Sequence, residues 1–177
     1  SVVHVLTPHF LHKEHGIACL EAGFHVLTEK PIAITAEDAD AMIRAAKKNK
    51  RQLGVIFQNR YIEGVQEVKR LIAEGKFGRI TGAFSTLNWW RPPSYYECDW
   101  KGSWEKEGGG CTLNHAVHHI DMLGWMMGRP DKVTAVVSNA AHDNAEVEDI
   151  SIAIMKYPEG RLAQGTSSVI HYGEQQA

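Results

Sequence analysis

Residues 107 to 121, EGGGCTLNHAVHHID, place three glycines beside an asparagine, three histidines and an aspartate. Such a set can cradle a phosphate, bind a metal or move a proton. A phosphate loop joins a strand to a helix, but Gly108-Gly109-Gly110 follows the polar run GSWEKE and lacks both Walker and GxGxxG spacing. The glycines therefore read as an entry that lets a helix begin close against a neighbour. His115 and His119 stand at i and i+4, the spacing of a zincin helix, with Ala116 where that motif carries its glutamate. A metal hydrolase built on His115, His119 and Asp121 stays open as an alternative, although no metal is assigned. For proton transfer, about 100° per residue puts Asn114, His118, Asp121 and Trp125 within roughly a 60° arc. Ala116, Val117, Ile120, Leu123, Gly124 and Met127 then face the core. A histidine on such a polar face can take and return a proton, with neighbours one turn away fixing its tautomer.

The elements that must hold this helix follow from periodicity and caps. VVHVLT, HVLTEKP and RQLGVIFQN read as strands, and PHFLHKEHGIACLEAG and AEDADAMIRAAKKNK as the helices between them. Gly23 stops the first helix; Thr35 caps the second, which carries acids in its first turn and bases in its last. This βαβαβ order predicts a parallel, doubly wound α/β sheet over residues 1–60. From residue 61 the pattern becomes α+β. It runs through the helix IEGVQEVKRLIAEGK, the strand RITGAFSTLNWW, an aromatic loop and the motif helix to KVTAVVSNAA, DISIAIMKY and RLAQGTSSVI. Pro158-Glu159-Gly160 predicts an antiparallel hairpin between the last two, and the alternation of Ile150, Ile152 and Ile154 predicts one buried face.

Glu29-Lys30-Pro31 at a strand end, preceded by Thr7-Pro8 and His12 and followed by GGGCTLNHAVHHIDML, resembles the Gfo/Idh/MocA family of NAD(P)-dependent sugar and cyclitol dehydrogenases. The resemblance runs across essentially the whole chain. It implies a Rossmann domain followed by a mostly antiparallel open-sheet substrate domain. It places the family's EKP lysine on Lys30 and its Asp-x-Gly-x-His on Asn114, Ala116 and His118, with Asp121 as the acid three residues on. His118 would then be the general acid/base toward a substrate hydroxyl, with Lys30 and Asn114 beside the same oxygen. Thr7, Pro8, His12, Glu29, Lys30, Pro31, Asn59, Trp100 and Lys101 would meet NAD or NADP. Arg91 and Tyr96, with Lys30, Asn114 and His118, would meet a sugar or polyol. Asn59 and Arg60 face the nicotinamide side, a domain-junction salt bridge being the other role open to Arg60. Asn114 departs from the family's aspartate, since an amide orients a hydroxyl but holds neither proton nor charge. The glycine-rich turn that grips pyrophosphate has no counterpart in this sequence.

Composition bounds the rest. A chain of 177 residues with 44% hydrophobic content buries a real core, and a formal charge of -2 gives nucleic acid or an anionic membrane nothing to be drawn to. Three cysteines without CxxC spacing point to a reducing cytoplasm rather than disulfides or thiolate zinc. Strand-like runs at both ends suggest a piece of a longer polypeptide, incomplete at both domains. The expected function is hydride transfer between nicotinamide and a secondary alcohol. A non-catalytic sugar-binding or assembly module of the same fold is the other rival, and a homo-oligomer formed through the second-domain sheet is expected.

Overall fold

The computed structural model describes residues 1–176, the side chains of residues 174–176 excepted. Strands β1 (Val2–Val5), β2 (His25–Thr28) and β3 (Leu53–Val55) form a parallel sheet in that order. Helices α1 (His12–Glu21) and α2 (Ala36–Lys48) make the crossovers and pack on each other. Their apolar sides close a small core of Val5, Leu20, Val26 and Ala46. The Thr35 side chain accepts the Asp38 N–H at 3.1 Å, and Gly23 leaves α1 at φ +88°. Two expectations shift: β3 ends at Val55 and gives way to a 3₁₀ turn at Gln58–Tyr61, and α1 is preceded by another at His9–Leu11 with Pro8 as its cap.

After α3 (Glu63–Ala73), the second sheet comprises β4 (Gly82–Trp90), β5 (Lys132–Ser138), β6 (Ile150–Lys156), β7 (Leu162–Ser168) and β8 (Ile170–Gln176). Their order is β5-β6-β7-β4-β8. β6 and β7 form the expected antiparallel hairpin, while β4 and β7 run parallel, so the sheet is mixed rather than wholly antiparallel. Helix α4 (Val117–Met127) covers one face, where Leu123 and Met127 pack on Met155, Tyr157 and Ala163.

The isoleucines of β6 do not supply that covered face. Ser151 and Met155 are buried under α4, whereas Ile152 and Ile154 are 51% and 57% exposed on the opposite side. Alternation reveals that a strand has two unlike faces but not which one a helix will cover. On α4 itself, Ile120 and Gly124 are exposed rather than core-facing. Among the described residues no helix is long and apolar enough to cross a membrane.

Candidate active site

The glycine run makes room for backbone. A Cβ on Gly110 would lie 1.9 Å from the Glu148 carbonyl oxygen, and one on Gly108, where φ is +82°, would lie 2.5 Å from Ile34 Cβ. The buried Glu148 carboxylate accepts the N–H groups of Gly110 at 2.8 Å and Thr112 at 3.0 Å, pinning the helix entry. That entry is a π-turn over Cys111–His115, in which the Ala116 N–H reaches back five residues to the Cys111 carbonyl at 2.8 Å. Asn114 therefore belongs to a wide turn ahead of α4, not to the regular helical arc that contains His118 and Asp121. The Cys111 thiol lies under it against Ser167, and burial pushes its pKa up to about 12.

This turn brings Asn114 to Lys30. The Glu29-Lys30-Pro31 segment leaves the carboxyl end of β2 with a cis Lys30-Pro31 bond, and Lys30 Nζ donates to the Asn114 carbonyl at 2.6 Å and to its Oδ1 at 3.1 Å. The contact joins residues from the two sheets. Burial lowers the Lys30 pKa, opposed by Glu29 and Glu107 and reinforced by Lys101. His118 lies in the first turn of α4, half-buried, its ring edge-on to Phe57 with centroids 5.9 Å apart and its buried Nδ1 without a hydrogen-bond partner. Burial, then the positive charge of Lys30, lowers its pKa, so its neutral, proton-accepting form is favoured.

Two clefts flank these residues. One of about 210 Å³ is lined by Thr7, His9, Glu29, Lys30, Trp100 and Lys101, at the carboxyl ends of β1 and β2. Open parallel sheets place ligands in such a position. The other, about 240 Å³, is lined by Gln58, Asn59, Trp89, His115, His118 and His119. Trp100 packs on His9 with ring centroids 4.8 Å apart, and Lys101 Nζ sits 3.4 Å from the centre of the Tyr95 ring. Arg91 lies over Trp89 and Tyr95 at 4.8 and 5.4 Å.

Other residues take different places. Tyr96 is buried against His142, and its neighbour Tyr95 reaches the cleft instead, its hydroxyl 3.1 Å from Asn114 Nδ2. His12 is fully buried, with its two ring nitrogens 2.8 Å from the Pro31 and Thr7 carbonyls, so it ties the two strand ends together from beneath. Pro8 shapes the turn above it. Arg60 forms a two-pronged salt bridge to Asp121 at 2.7 and 2.5 Å. Asp121 is thereby engaged, His119 bonds Ser85 at 3.1 Å and His115 packs edge-on against Trp89 at 5.4 Å. The structure thus does not assemble the three proposed metal ligands, and among the described residues no group of three or more His, Cys, Asp or Glu side chains could hold an ion. Glu107, unassigned in the sequence reading, is 1% exposed and bonded to Asn114. Its only signal was its place at the head of the glycine run.

Comparison with known proteins follows the two sheets. A family model described as the GFO/IDH/MocA C-terminal domain matches residues 65–177, and one described as an oxidoreductase family with an NAD-binding Rossmann fold matches residues 1–57. The chain is 34% identical over 171 residues to the 2,7-anhydro-N-acetylneuraminate hydratase of Mediterraneibacter gnavus, covering 92% of this chain and 44% of that protein. It is 37% identical over 151 residues to the scyllo-inositol 2-dehydrogenase (NADP(+)) of Bacillus subtilis, covering 84% and 40%. The WlbA dehydrogenase of Bordetella pertussis, solved with NADH and UDP-GlcNAcA, superposes with a TM-score of 0.90 at 34% identity, over 98% of this chain and 50% of that one. The chain thus spans half or less of the length of these proteins.

Proposed function

The chain belongs to the Gfo/Idh/MocA oxidoreductase family, and from that premise we propose that the protein moves a hydride between NAD or NADP and a secondary alcohol of a sugar or cyclitol. The observation that carries the reading is the meeting of Lys30 and Asn114 across the two sheets, beside a His118 whose Nδ1 lacks a partner. Two of the three Lys30 N–H groups are engaged, which leaves the third to hold the substrate oxygen. His118 takes the hydroxyl proton on oxidation and returns it on reduction. Thr7, Pro8, Glu29, Lys30, Pro31, Asn59, Trp100 and Lys101 line or shape the cofactor side in this reading, with His12 supporting it from below. Nicotinamide, when bound, supplies the hydride acceptor. Arg91, Asn114, His118 and Tyr95, in place of Tyr96, take the substrate side.

The test is nicotinamide reduction by the full-length protein across a panel of cyclitols, anhydro-sugars and sugar acids with NAD and with NADP. At least one pair should turn over. Lys30→Met, which keeps the stem and removes the ammonium, should lower kcat/KM by roughly 10- to 100-fold without a large change in Tm. Cofactor binding without any turnover would favour the non-catalytic module; neither binding nor turnover would end the reading.

The same reading sets the domain division between residues 60 and 61, keeps the protein in the cytoplasm, and makes the open face of the second sheet a homodimer surface. Register aligns Val136, Ile152 and Thr166 in one row and Ile154, Gln164 and Phe84 in the next. Val136 is 73% and Phe84 81% exposed in the single chain. Sedimentation of the full-length protein should give a dimer or a multiple of it, dissociated by Ile152→Asp. A monomer at micromolar concentration would refute the assignment.

A further inference from the structure

Glu107 has no part in the role set out above, yet both oxygens of its carboxylate are engaged. Oε2 accepts the Gly102 N–H at 2.6 Å and Oε1 accepts Asn114 Nδ2–H at 2.5 Å. With Glu107 and the Tyr95 hydroxyl on its nitrogen side, the Asn114 amide presents its oxygen to Lys30. The reversed amide would set NH₂ against the ammonium and oxygen against the carboxylate, two repulsions in place of two hydrogen bonds. We propose that Glu107 is a positioning residue acting through Asn114: it locks the amide toward Lys30 and supplies, one residue removed, the negative charge that asparagine cannot carry beside the ammonium.

The cost of burial argues against a mere loop anchor. A carboxylate taken out of water is expensive, and a neutral side chain would serve to tie down the Gly102 N–H. Burial accordingly raises the Glu107 pKa, partly offset by the Gly102 and Asn114 hydrogen bonds. The charged and titratable groups around Lys30 are Glu29 and Glu107, which stabilise its ammonium, Lys101, which opposes it, and His9, His115 and His118, which sense its charge. Apart from Glu29, its own neighbour, Glu107 is the acid among these. The inference rests on the oxidoreductase reading for its purpose, but the coupling itself does not need turnover.

The experiment follows Lys30 directly in the full-length protein, by the pH dependence of its acetylation with trace acetic anhydride, read by mass spectrometry. Glu107→Gln should move the curve to lower pH, because the ammonium loses a stabilising charge. It should also cost on the order of tenfold in kcat/KM, the usual scale for a residue that orients a contacting group. Glu107→Gln combined with Asn114→Asp, which moves the charge next to Lys30, should carry the curve back to the wild-type position or beyond. An unmoved curve in the single variant, or a double variant that titrates like the single, overturns the proposal. Should Glu107→Gln fail to fold, Glu107→Asp decides it: the shorter carboxylate withdraws from the Asn114 amide and from Lys30, so the Lys30 acetylation curve should again move to lower pH, by less than full loss of the charge would give. An unmoved curve in this variant would overturn the proposal. Absent turnover with a shifted Lys30 curve would count against the oxidoreductase reading alone; intact turnover with an unshifted curve would count against Glu107 alone.

Discussion

His118→Ala is expected to lower kcat by roughly 10²–10⁴-fold while leaving NAD(P)H affinity nearly unchanged, because proton transfer accounts for about that much of a barrier and the ring faces the cleft opposite the strand ends. The pH profile should carry the same signature. Burial and then Lys30 hold the His118 pKa below 6.5, so the proton-accepting form persists to lower pH than for a free imidazole. The acid limb of kcat/KM for alcohol oxidation should therefore lie below 6.5 and vanish in the alanine variant. Unchanged turnover in His118→Ala would return this histidine to a packing role.

Gly110→Ala should destabilise the protein by about 3 kcal/mol or more, enough in many proteins to prevent soluble expression. The added methyl would lie 1.9 Å from the Glu148 carbonyl, the same oxygen that accepts the Cys111 N–H at 2.9 Å. Gly124→Ala is the matched control. It sits inside α4 with nothing within 4 Å of the new methyl, so helix propensity should make it neutral or stabilising by up to about 1 kcal/mol. Urea unfolding of both variants measures the contrast, and equal midpoints would mean that the motif glycines are not there to admit the Glu148 backbone.

Much of the first sheet was legible from sequence because its signals are local: Thr35 with its acids, Gly23 at a helix end, β-branched runs at regular spacing. The second sheet was less so. The β6 isoleucines announced an alternating strand, but whether α4 would cover them or their small neighbours depends on chain crossing far away in sequence. The site divides in the same way. Lys30, Asn114 and His118, which the fold brings near one another, were singled out from motif and resemblance. Tyr95, whose hydroxyl reaches Asn114, was passed over for the buried Tyr96, since the two rings of one 3₁₀ turn stand at 88° to each other and no spacing rule selects between them. Glu107 sits in a run with Glu105 and Lys106 that reads as a solvated loop, and only the fold turns it inward.

The wide turn at Cys111–His115 is, in effect, an α-helix that has absorbed one residue too many. A chain shorter by one residue between Gly110 and Ala116 would wind as an uninterrupted helix. With the glycine entry fixed by Glu148, the residues from Val117 onward would keep nearly the same phase, because the wide turn absorbs the extra residue, and the side chains within the turn would be the ones to change direction. Asn114 and His118 would both survive in such a sequence while Asn114 alone lost its direction toward Lys30, so an alignment that closes a single gap here can match the right letters and still misplace one of the two side chains.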